Sequence, residues 1–386
     1  MWTPEKAEGP ARGHAHTPAR SSRQRVISVL LYCTGEMSHF SKIMEDKPFP
    51  VQLVEWVLRG VSRVILANNP VSGALILGAL VMASPWQALM GTVGLLASTL
   101  TAIIIGQDSA EIAGGLHGFN GMLVALLMAV FSAAGDWYWW LLLPACLGGA
   151  TCTFLFSGLA PLLDRWDLPV AVFPFNMVIV LFLACTGPNN PYFPHNPAAP
   201  PGAPEGLNHT QLLVPEVLQG VVLGVGQIYA CSAFGSSLLI LGGVLIFSPI
   251  MAIHALLGSG IGTLVGLSMA VQHSALYSGL SGFNGALGCM AVGGLFFTFS
   301  WKTHLFAIAS GFLSAYTDIA LSNLLGTVGL PACSWGATLI ATLMLLLTAR
   351  HLSVYRITIG QVGSPEHNLL THRRWEEGAK EDSTDV

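Results

Sequence analysis

Charged residues are scarce in this sequence. Asp, Glu, Lys and Arg together make up 9% of its 386 residues, whereas 53% are hydrophobic. Soluble globular domains carry about 25% charged residues, so this chain lacks the polar surface that such a domain needs. Apolar runs such as Leu141–Leu143 and Leu345–Leu347 are uninterrupted, whereas the strands of a membrane barrel alternate apolar and polar residues. The sequence therefore predicts an all-α polytopic membrane protein.

The motifs of catalysis and metal binding are also missing. The seven cysteines are an odd number, include no Cys-x-x-Cys pair and mostly lie in apolar segments, which is typical of reduced core residues. The sequence contains no Walker-type phosphate loop, no His/Cys/Asp cluster at metal-ligand spacing and no pairing of a nucleophile with a base. We therefore predict a protein that is not an enzyme and that uses neither a cofactor nor a metal ion.

The few basic residues are concentrated at the two ends of the chain. Of sixteen Lys and Arg, seven lie in residues 1–50 and five in residues 350–386, and such residues mark the cytoplasmic side of a membrane protein. The start, Met1–Lys6, lacks the apolar core of a signal peptide. Both ends are therefore expected in the cytoplasm.

A loop in the middle of the chain has the opposite character. Residues 186–211 are rich in Pro and Asn, contain no Lys or Arg, and include Asn208-His209-Thr210, the acceptor tripeptide for an N-linked glycan. We expect this loop to be extracellular, with Asn208 glycosylated, in a protein of the plasma membrane.

These features divide the chain into five segments. The last is polar and acidic, which predicts disorder, and the first has a short apolar stretch at Val26–Tyr32 that we expect along the inner leaflet. The predicted segments are a cytoplasmic N-terminal segment at 1–50, a first membrane repeat at 51–185, the extracellular loop at 186–211, a second membrane repeat at 212–348 and a cytoplasmic tail at 349–386.

The two membrane segments are copies of each other. Gly115-Leu116-His117-Gly118-Phe119-Asn120-Gly121 recurs as Gly279-Leu280-Ser281-Gly282-Phe283-Asn284-Gly285, a shift of 164 positions, and Pro85 recurs as Pro249. The prolines are expected to start or kink helices. A Gly-rich break in a membrane helix is tolerated only where it is packed in protein or lines a cavity. We therefore expect the two breaks to form the walls of a central pore.

The topology follows from the predicted sidedness. If the two ends lie inside and the middle loop outside, each half crosses the bilayer an odd number of times, and the halves have inverted topology. About 135 residues per half accommodate five transmembrane helices of about 20 residues plus one short pore half-helix. The predicted architecture is two inverted repeats of this kind around a central pore.

Ionisable residues are nearly absent from the middle of the membrane segments. His254 and Asp318 could lie there, but at a shift of 164 they align with Met90 and Phe154. A residue on a symmetric path should occur twice, so both are expected to make structural hydrogen bonds. Coupled transporters need embedded groups that change charge, and the sequence therefore disfavours that class.

An aromatic and apolar pair recurs instead. Each half places a leucine one helical turn after the phenylalanine of its break, Leu123 after Phe119 and Leu287 after Phe283. We expect an apolar helix to begin after each Phe-Asn-Gly, with both members of a pair facing the same direction. A wall of aromatic faces, leucines and uncharged hydrogen-bonding groups suits a small, flat, neutral, polar solute.

From about Arg59 to Thr348 the sequence resembles the urea transporter family. Beside the Leu-x-Gly-Phe-Asn pair, each half contains a Leu-Pro box, Leu168-Pro169-Val170-Ala171-Val172 and Leu330-Pro331-Ala332-Cys333-Ser334, at a shift of 162 positions. The resemblance implies passive, channel-like diffusion of urea through a filter of paired Phe residues and a row of oxygens. It also implies a homotrimer in which each subunit has its own pore.

The family pattern assigns roles to individual residues. Carried over by position, Phe119 and Phe283 would sandwich the flat solute, with Leu123 and Leu287 as apolar support. Gln227 would supply an amide near one mouth of the pore, and Val172 and Ser334 would occupy the two threonine sites at its midpoint.

Three of these positions depart from the family pattern. Val172 and Ser334 stand where threonines are expected, and Arg63, which lies 164 positions before Gln227, stands where a glutamine is expected. Arg63 could bind the carbonyl of a solute at the mouth of the pore or extend to lipid headgroups. The departures leave a channel for water, ammonia or another small neutral amide as an alternative. A non-transporting membrane scaffold is disfavoured because it gives the repeated motifs no purpose.

Overall fold

The computed structural model describes residues 33–187, 189–194, 212–347 and 352–384. From Thr34 onward the chain forms one compact unit. The predicted glycan acceptor Asn208 and the apolar stretch Val26–Tyr32 lie outside the described residues. Within the described ranges the chain is helical, and its only β-structure is an isolated bridge between Phe297 and Arg356. The all-α prediction is confirmed.

The helices of the described part follow one another with short connections. Their bounds are α1 Ser38–Glu45, α2 Phe49–Arg63, α3 Pro70–Ala83, α4 Pro85–Ile104, α5 Ser109–Ala113, α6 Gly118–Phe131, α7 Leu142–Leu163, α8 Phe173–Thr186, α9 Val214–Gly226, α10 Phe234–Phe247, α11 Pro249–Ser268, α12 His273–Tyr277, α13 Phe283–Met290, α14 Trp301–Gly326, α15 Trp335–Leu346 and α16 Pro365–Thr384. A 3-10 turn, Gln227–Tyr229, continues α9, and a π-helical turn, Ala291–Leu295, continues α13.

Four of the described helices are long and apolar enough to cross a membrane, or up to five if the bent pair Val214–Tyr229 and Phe234–Phe247 counts as one span. Five further apolar helices, α3, α6, α8, α15 and the α13 segment Phe283–Leu295, have 10–17 residues. These lengths support a polytopic membrane protein. They do not by themselves give the count of ten spans and two half-helices, which stays a prediction.

The internal repeat is present in the helix bounds. Helices α3, α4 and α5 recur as α10, α11 and α12 with both ends shifted by 164 positions. Helix α8 recurs as α15 with its start shifted by 162 positions. The duplication seen in the sequence therefore extends to the local structure.

The shift between the halves falls from 164 to 162 positions, so the second half lacks two residues, and glycine contacts show where in the chain this change occurs. Gly149 of α7 packs against Gly94 and Gly121, whereas Gly311 of α14 packs against Gly258 and Gly285, the equivalents of those two residues. The shift is therefore already 162 at Gly311, because the two residues are lost before that point of α14. The structural counterpart of Asp318 is then Phe156. The expected alignment with Phe154 was wrong.

Both halves start their equivalent helices in the same way. Ser84 and Ser248 precede Pro85 and Pro249, and each serine side chain accepts a hydrogen bond from a backbone N–H of the first turn. A serine before a helix satisfies a donor that has no helical partner, and proline fits the first helical position. The prediction that these prolines start or kink helices is confirmed.

The Gly-rich breaks have the same geometry in both halves. After the short helices α5 and α12, the chain turns at Gly115 and Gly279, with φ of 73° and 80°. A Cβ at Gly115 would lie 2.5 Å from the backbone nitrogen of Gly60, and one at Gly279 would lie 2.4 Å from that of Gly224. The Phe-Asn-Gly residues that follow lie in the first turn of α6 and α13. The expectation that each helix begins after the motif was therefore wrong.

Equivalent residues of the two halves meet each other. The rings of Phe173 and Trp335, 162 positions apart, pack edge to face with centroids 5.8 Å apart. One turn further along, the Asn176 amide donates to the Thr338 hydroxyl at 3.1 Å, again between residues 162 positions apart. Helices α8 and α15 therefore contact each other through equivalent residues of the two halves.

The polar tail is ordered in its described part, which corrects the prediction of disorder. Glu366 of α16 accepts hydrogen bonds from the Ser248 hydroxyl at 2.9 Å and from the Ile250 N–H at 3.1 Å. Asn368 donates to the carbonyl of Gly294 at 3.0 Å. The acidic composition gave no sign of this order because it comes from single side chains that satisfy backbone groups at helix ends.

Candidate functional site

A cavity of about 1230 Å³ is lined by residues of both halves. All eight residues predicted from the sequence lie on its walls: Arg63, Phe119, Leu123, Val172, Gln227, Phe283, Leu287 and Ser334. Phe119 and Leu123 are 6% and 7% exposed, so they face protein and cavity rather than lipid. The structure brings the eight residues together, and their roles toward a solute stay predictions.

Arg63 and Gln227 make the same contact in the two halves. Nε of Arg63 donates to the carbonyl of Gly114 at 2.9 Å, and Nε2 of Gln227 donates to the carbonyl of Ser278 at 2.8 Å. The two carbonyls are equivalent positions of the two breaks. Arg63 is therefore bound to protein at the cavity wall, where its remaining N–H groups can face a solute.

Arg63 also has a carboxylate in its surroundings. Glu36 lies before α1, and burial raises its pKa, while the positive charges of Arg63 and Arg59 oppose that rise. Arg59 itself is 2% exposed and bonded to Glu55 at 2.9 Å. Arg63 is thus the basic residue of this group that lines the cavity.

Two buried asparagines hold the Leu-Pro boxes in position. Asn120 donates to the carbonyl of Ala171 at 3.1 Å and accepts from the N–H of Phe175 at 3.1 Å. In the second half, Asn284 donates to the carbonyl of Cys333 at 3.0 Å and accepts from the N–H of Ala337 at 2.9 Å. The sequence showed both asparagines as part of a repeat, but gave no sign that they bind the boxes.

These asparagine hydrogen bonds, called the asparagine clamps below, hold the backbone of the residues that precede Val172 and Ser334. Ala171 and Cys333 both have φ of 48°, a left-handed conformation that costs a non-glycine residue roughly 1–2 kcal/mol. Such conformations persist where the surrounding structure imposes them, and they are frequent at functional sites. The strain recurs directly before Val172 and Ser334, so the two midpoint side chains enter the cavity from matching backbone turns.

The midpoint contacts cross from one half to the other. The side-chain amide oxygen of Asn176 accepts from the backbone N–H of Ser334 at 3.1 Å and from the Ser334 hydroxyl at 3.3 Å. The Thr338 hydroxyl donates to the backbone carbonyl of Ser334 at 2.7 Å. The hydroxyl proton of Ser334 is thus used by protein, and the hydroxyl oxygen remains available as an acceptor. Val172, the equivalent residue of the first half, offers a methyl group in place of that oxygen.

Phe119 and Phe283 each belong to the wall of their own half. Phe119 lies five positions after Gly114, whose carbonyl binds Arg63. Phe283 lies five positions after Ser278, whose carbonyl binds Gln227. Among the aromatic contacts of the described residues, none joins these two rings directly. The cavity wall therefore contains two related groups of residues, called half-sites below: Arg63 with Phe119 in the first half and Gln227 with Phe283 in the second.

His254 and Asp318 differ in their surroundings. One ring nitrogen of His254 lies 2.7 Å from the carbonyl of Ile250 and the other lies 3.1 Å from His304, as expected of a structural histidine. Asp318 lines the cavity instead. Reasoning from the sequence missed this position because the first-half counterpart of Asp318 is a phenylalanine at a shift of 164 or of 162, so no repeated polar residue marked it.

Comparisons with known proteins agree with the motifs. The chain matches the family model described as urea transporter over residues 54–349. It is 41% identical over 359 residues to urea transporter 1 of Capra hircus, which covers 93% of this chain and 94% of that protein. The same identity and coverage relate it to urea transporter 1 of Rattus norvegicus and of Mus musculus. The chain belongs to the urea transporter family.

Proposed function

We propose that the cavity between the two halves conducts urea passively across the plasma membrane, without coupling to an ion. The observation that carries this proposal is the single cavity that joins all eight predicted residues.

Urea presents four N–H donors and one carbonyl acceptor to such a pathway. Removing a polar amide from water without replacement costs roughly 4–8 kcal/mol on an alkane scale, so each lost water contact needs a partner along the wall. Gln227 uses its N–H to bind Ser278, which leaves its carbonyl oxygen for the N–H groups of urea. Arg63 has only donors, so its half-site binds the urea carbonyl. The two mouths therefore hold urea by opposite ends.

Phenylalanine and leucine supply the flat, apolar part of the filter. Phe119 with Leu123 and Phe283 with Leu287 each form the apolar wall of a narrow passage that admits a planar molecule and excludes thicker solutes. Because each ring lies in its own half-site, urea passes them in sequence. Weak sites in series keep a solute moving.

The midpoint is poorer in oxygens than the family pattern implies. Ser334 offers one acceptor oxygen and Val172 offers none. With about 1 kcal/mol for one net hydrogen bond, the missing hydroxyl slows passage by a factor of about five. Urea flux is expected to persist at this reduced rate.

Purified protein in liposomes tests the proposal. We expect urea-driven swelling well above that of protein-free vesicles, at a rate that stays unchanged when ion gradients are removed. Vesicles that swell no faster with the protein than without it would refute urea conduction.

A channel for water, ammonia or another small neutral amide is the second candidate. Arg63 and the missing hydroxyl at Val172 favour it, because both change the hydrogen bonds that would select urea. Parallel swelling in formamide, glycerol and plain water separates the two. Formamide or water permeation that exceeds urea permeation per unit gradient would support the second candidate.

We further propose a homotrimer with one pore per subunit, inverted repeats, cytoplasmic ends and a glycan on Asn208. Contacts between equivalent residues, Phe173 with Trp335 and Asn176 with Thr338, support the two-fold relation. Exposed apolar side chains such as Leu147 and Leu343, 61% and 60% exposed, suit lipid or subunit contact. Native mass spectrometry would give the subunit number, and the mass change after Asn208→Gln would report the glycan and its extracellular side.

A further inference from the structure

The cavity is chemically asymmetric along one pair of equivalent helices. Phe156, Ala160 and Pro161 of α7 line it from the first half, and the positions 162 further on, Asp318, Ser322 and Asn323 of α14, line it from the second. Three apolar residues on one helix face are thus replaced by three hydrogen-bonding residues on the equivalent face. Neither the urea pathway described above nor the internal repeat accounts for this replacement.

Asp318 is buried at the inner end of this polar face. Its side chain is 8% exposed, while Ser322 and Asn323, one turn closer to the end of α14, are exposed. The face therefore leads from the mouth of the cavity to a buried carboxylate. The salt bridges of the described residues do not include Asp318, and Asn284 is the side chain that faces it.

The other charges on the cavity wall belong to the first half. They are Arg63, Glu111 and Asp164. Asp318 belongs to the second half, like Gln227 and Phe283, whereas Arg63 belongs to the first. A carboxylate in an apolar wall gains most from a solute that brings its own N–H donors and positive charge, because charge-assisted and bidentate hydrogen bonds are the strongest of their kind.

We propose that Asp318, with Ser322 and Asn323, forms a binding site for small planar cations of the guanidinium class at the second-half end of the cavity. A guanidinium presents the same planar edge of N–H groups as urea, so it fits the narrow passage that leads to Asp318. It lacks the carbonyl oxygen that Arg63 would bind, and Arg63 repels its charge. Such a cation therefore enters from the Asp318 end, binds there and blocks the passage of urea.

Inhibition of urea flux by methylguanidinium tests the site. This test rests on the proposed function, because urea conduction is its readout. In proteoliposomes, millimolar methylguanidinium is expected to inhibit the wild-type protein. Asp318→Asn, which keeps the shape and removes the charge, is expected to raise the inhibitory concentration about tenfold, equivalent to about 1.4 kcal/mol. Asp164→Asn is the matched control, because Asp164 is an exposed carboxylate that lines the first-half end of the same cavity. Its inhibitory concentration is expected to change less than about twofold, since an exposed charge is screened by solvent.

Calorimetric titration of the purified protein with methylguanidinium gives a second readout that does not depend on urea conduction. Heat of binding in the wild type that is lost in Asp318→Asn supports the site even if urea flux is absent. If Asp318→Asn fails to fold, Ser322→Ala replaces it, with an expected weakening of about threefold for one lost neutral hydrogen bond. Inhibition and binding that are absent in the wild type, or equally strong in the wild type and in Asp318→Asn, would overturn the proposal.

Discussion

In the first half Arg63 donates to the carbonyl of Gly114, and in the second half Gln227 donates from the equivalent position to Ser278. The backbone of the two breaks is therefore the same, although the side chains that bind it differ in charge. The same holds at the boxes, where Val172 and Ser334 follow identical left-handed turns. The duplicated backbone therefore fixes the positions at which a solute contacts the cavity wall, while individual side chains determine which chemical groups it contacts there.

The asparagine clamps are where the two halves agree most closely, and breaking one has the largest expected effect. Asn284→Ala leaves the buried carbonyl of Cys333 and the buried N–H of Ala337 without their partner. Each unsatisfied group costs about 1–3 kcal/mol, so the unfolding temperature in detergent is expected to fall by several degrees. Asn120→Ala is the matched variant, and a comparable fall is expected there. A clear fall for one variant and none for the other would show that the clamps are not equivalent.

Arg63→Gln removes the largest difference between the two half-sites. Over about 10 Å, at an effective dielectric constant of about 20, the repulsion between two unit charges is about 1.7 kcal/mol. Methylammonium permeation is therefore expected to rise more than about tenfold relative to urea in Arg63→Gln, as followed by flux in proteoliposomes. Gln227→Ala is the control at the equivalent position: it removes no charge, so methylammonium permeation itself should not rise in this variant. An unchanged methylammonium to urea ratio in Arg63→Gln would place the Arg63 charge outside the permeation path.

Val172→Thr makes the two sides of the midpoint alike. One added hydroxyl is worth about 1 kcal/mol, so urea flux is expected to rise about fivefold, measured at equal protein density. Ser334→Ala is the converse change, and a fall of similar size is expected. Urea and water permeabilities that do not respond to either variant would show that hydroxyls at the midpoint do not control passage.

Glu366→Gln tests the contact that the tail makes with the second half, in which Glu366 of α16 accepts hydrogen bonds at the start of α11. The amide can still accept from the Ser248 hydroxyl, but it loses the charge that favours the N-terminus of a helix, worth about 0.3–1 kcal/mol. The unfolding temperature is expected to fall by only one or two degrees. Urea flux that changes more than about twofold would contradict a purely structural role for this contact.

Much of the fold followed from the sequence because the chain is duplicated. The paired prolines predicted helix starts in both halves, and the repeated Gly-Phe-Asn-Gly segments and the two boxes predicted residues of the cavity wall. The tail could not be predicted from composition, since its order depends on Glu366 and Asn368 meeting backbone groups more than 70 positions away in sequence. The place of Asp318 on the cavity wall could not be predicted either, since its first-half equivalent is a phenylalanine at a shift of 164 or of 162, and only the packing of α14 shows which of its side chains line the cavity.

Urea flux through a variant with a plugged midpoint tests most directly whether passage runs between the two halves. Val172→Trp fills the cavity beside Ser334, and Leu147→Trp places the same ring on α7, where Leu147 is 61% exposed and does not line the cavity. With both proteins shown to be folded by their unfolding temperatures, we predict that Val172→Trp loses urea flux and that Leu147→Trp retains it. Undiminished urea flux through folded Val172→Trp would contradict a path between the halves.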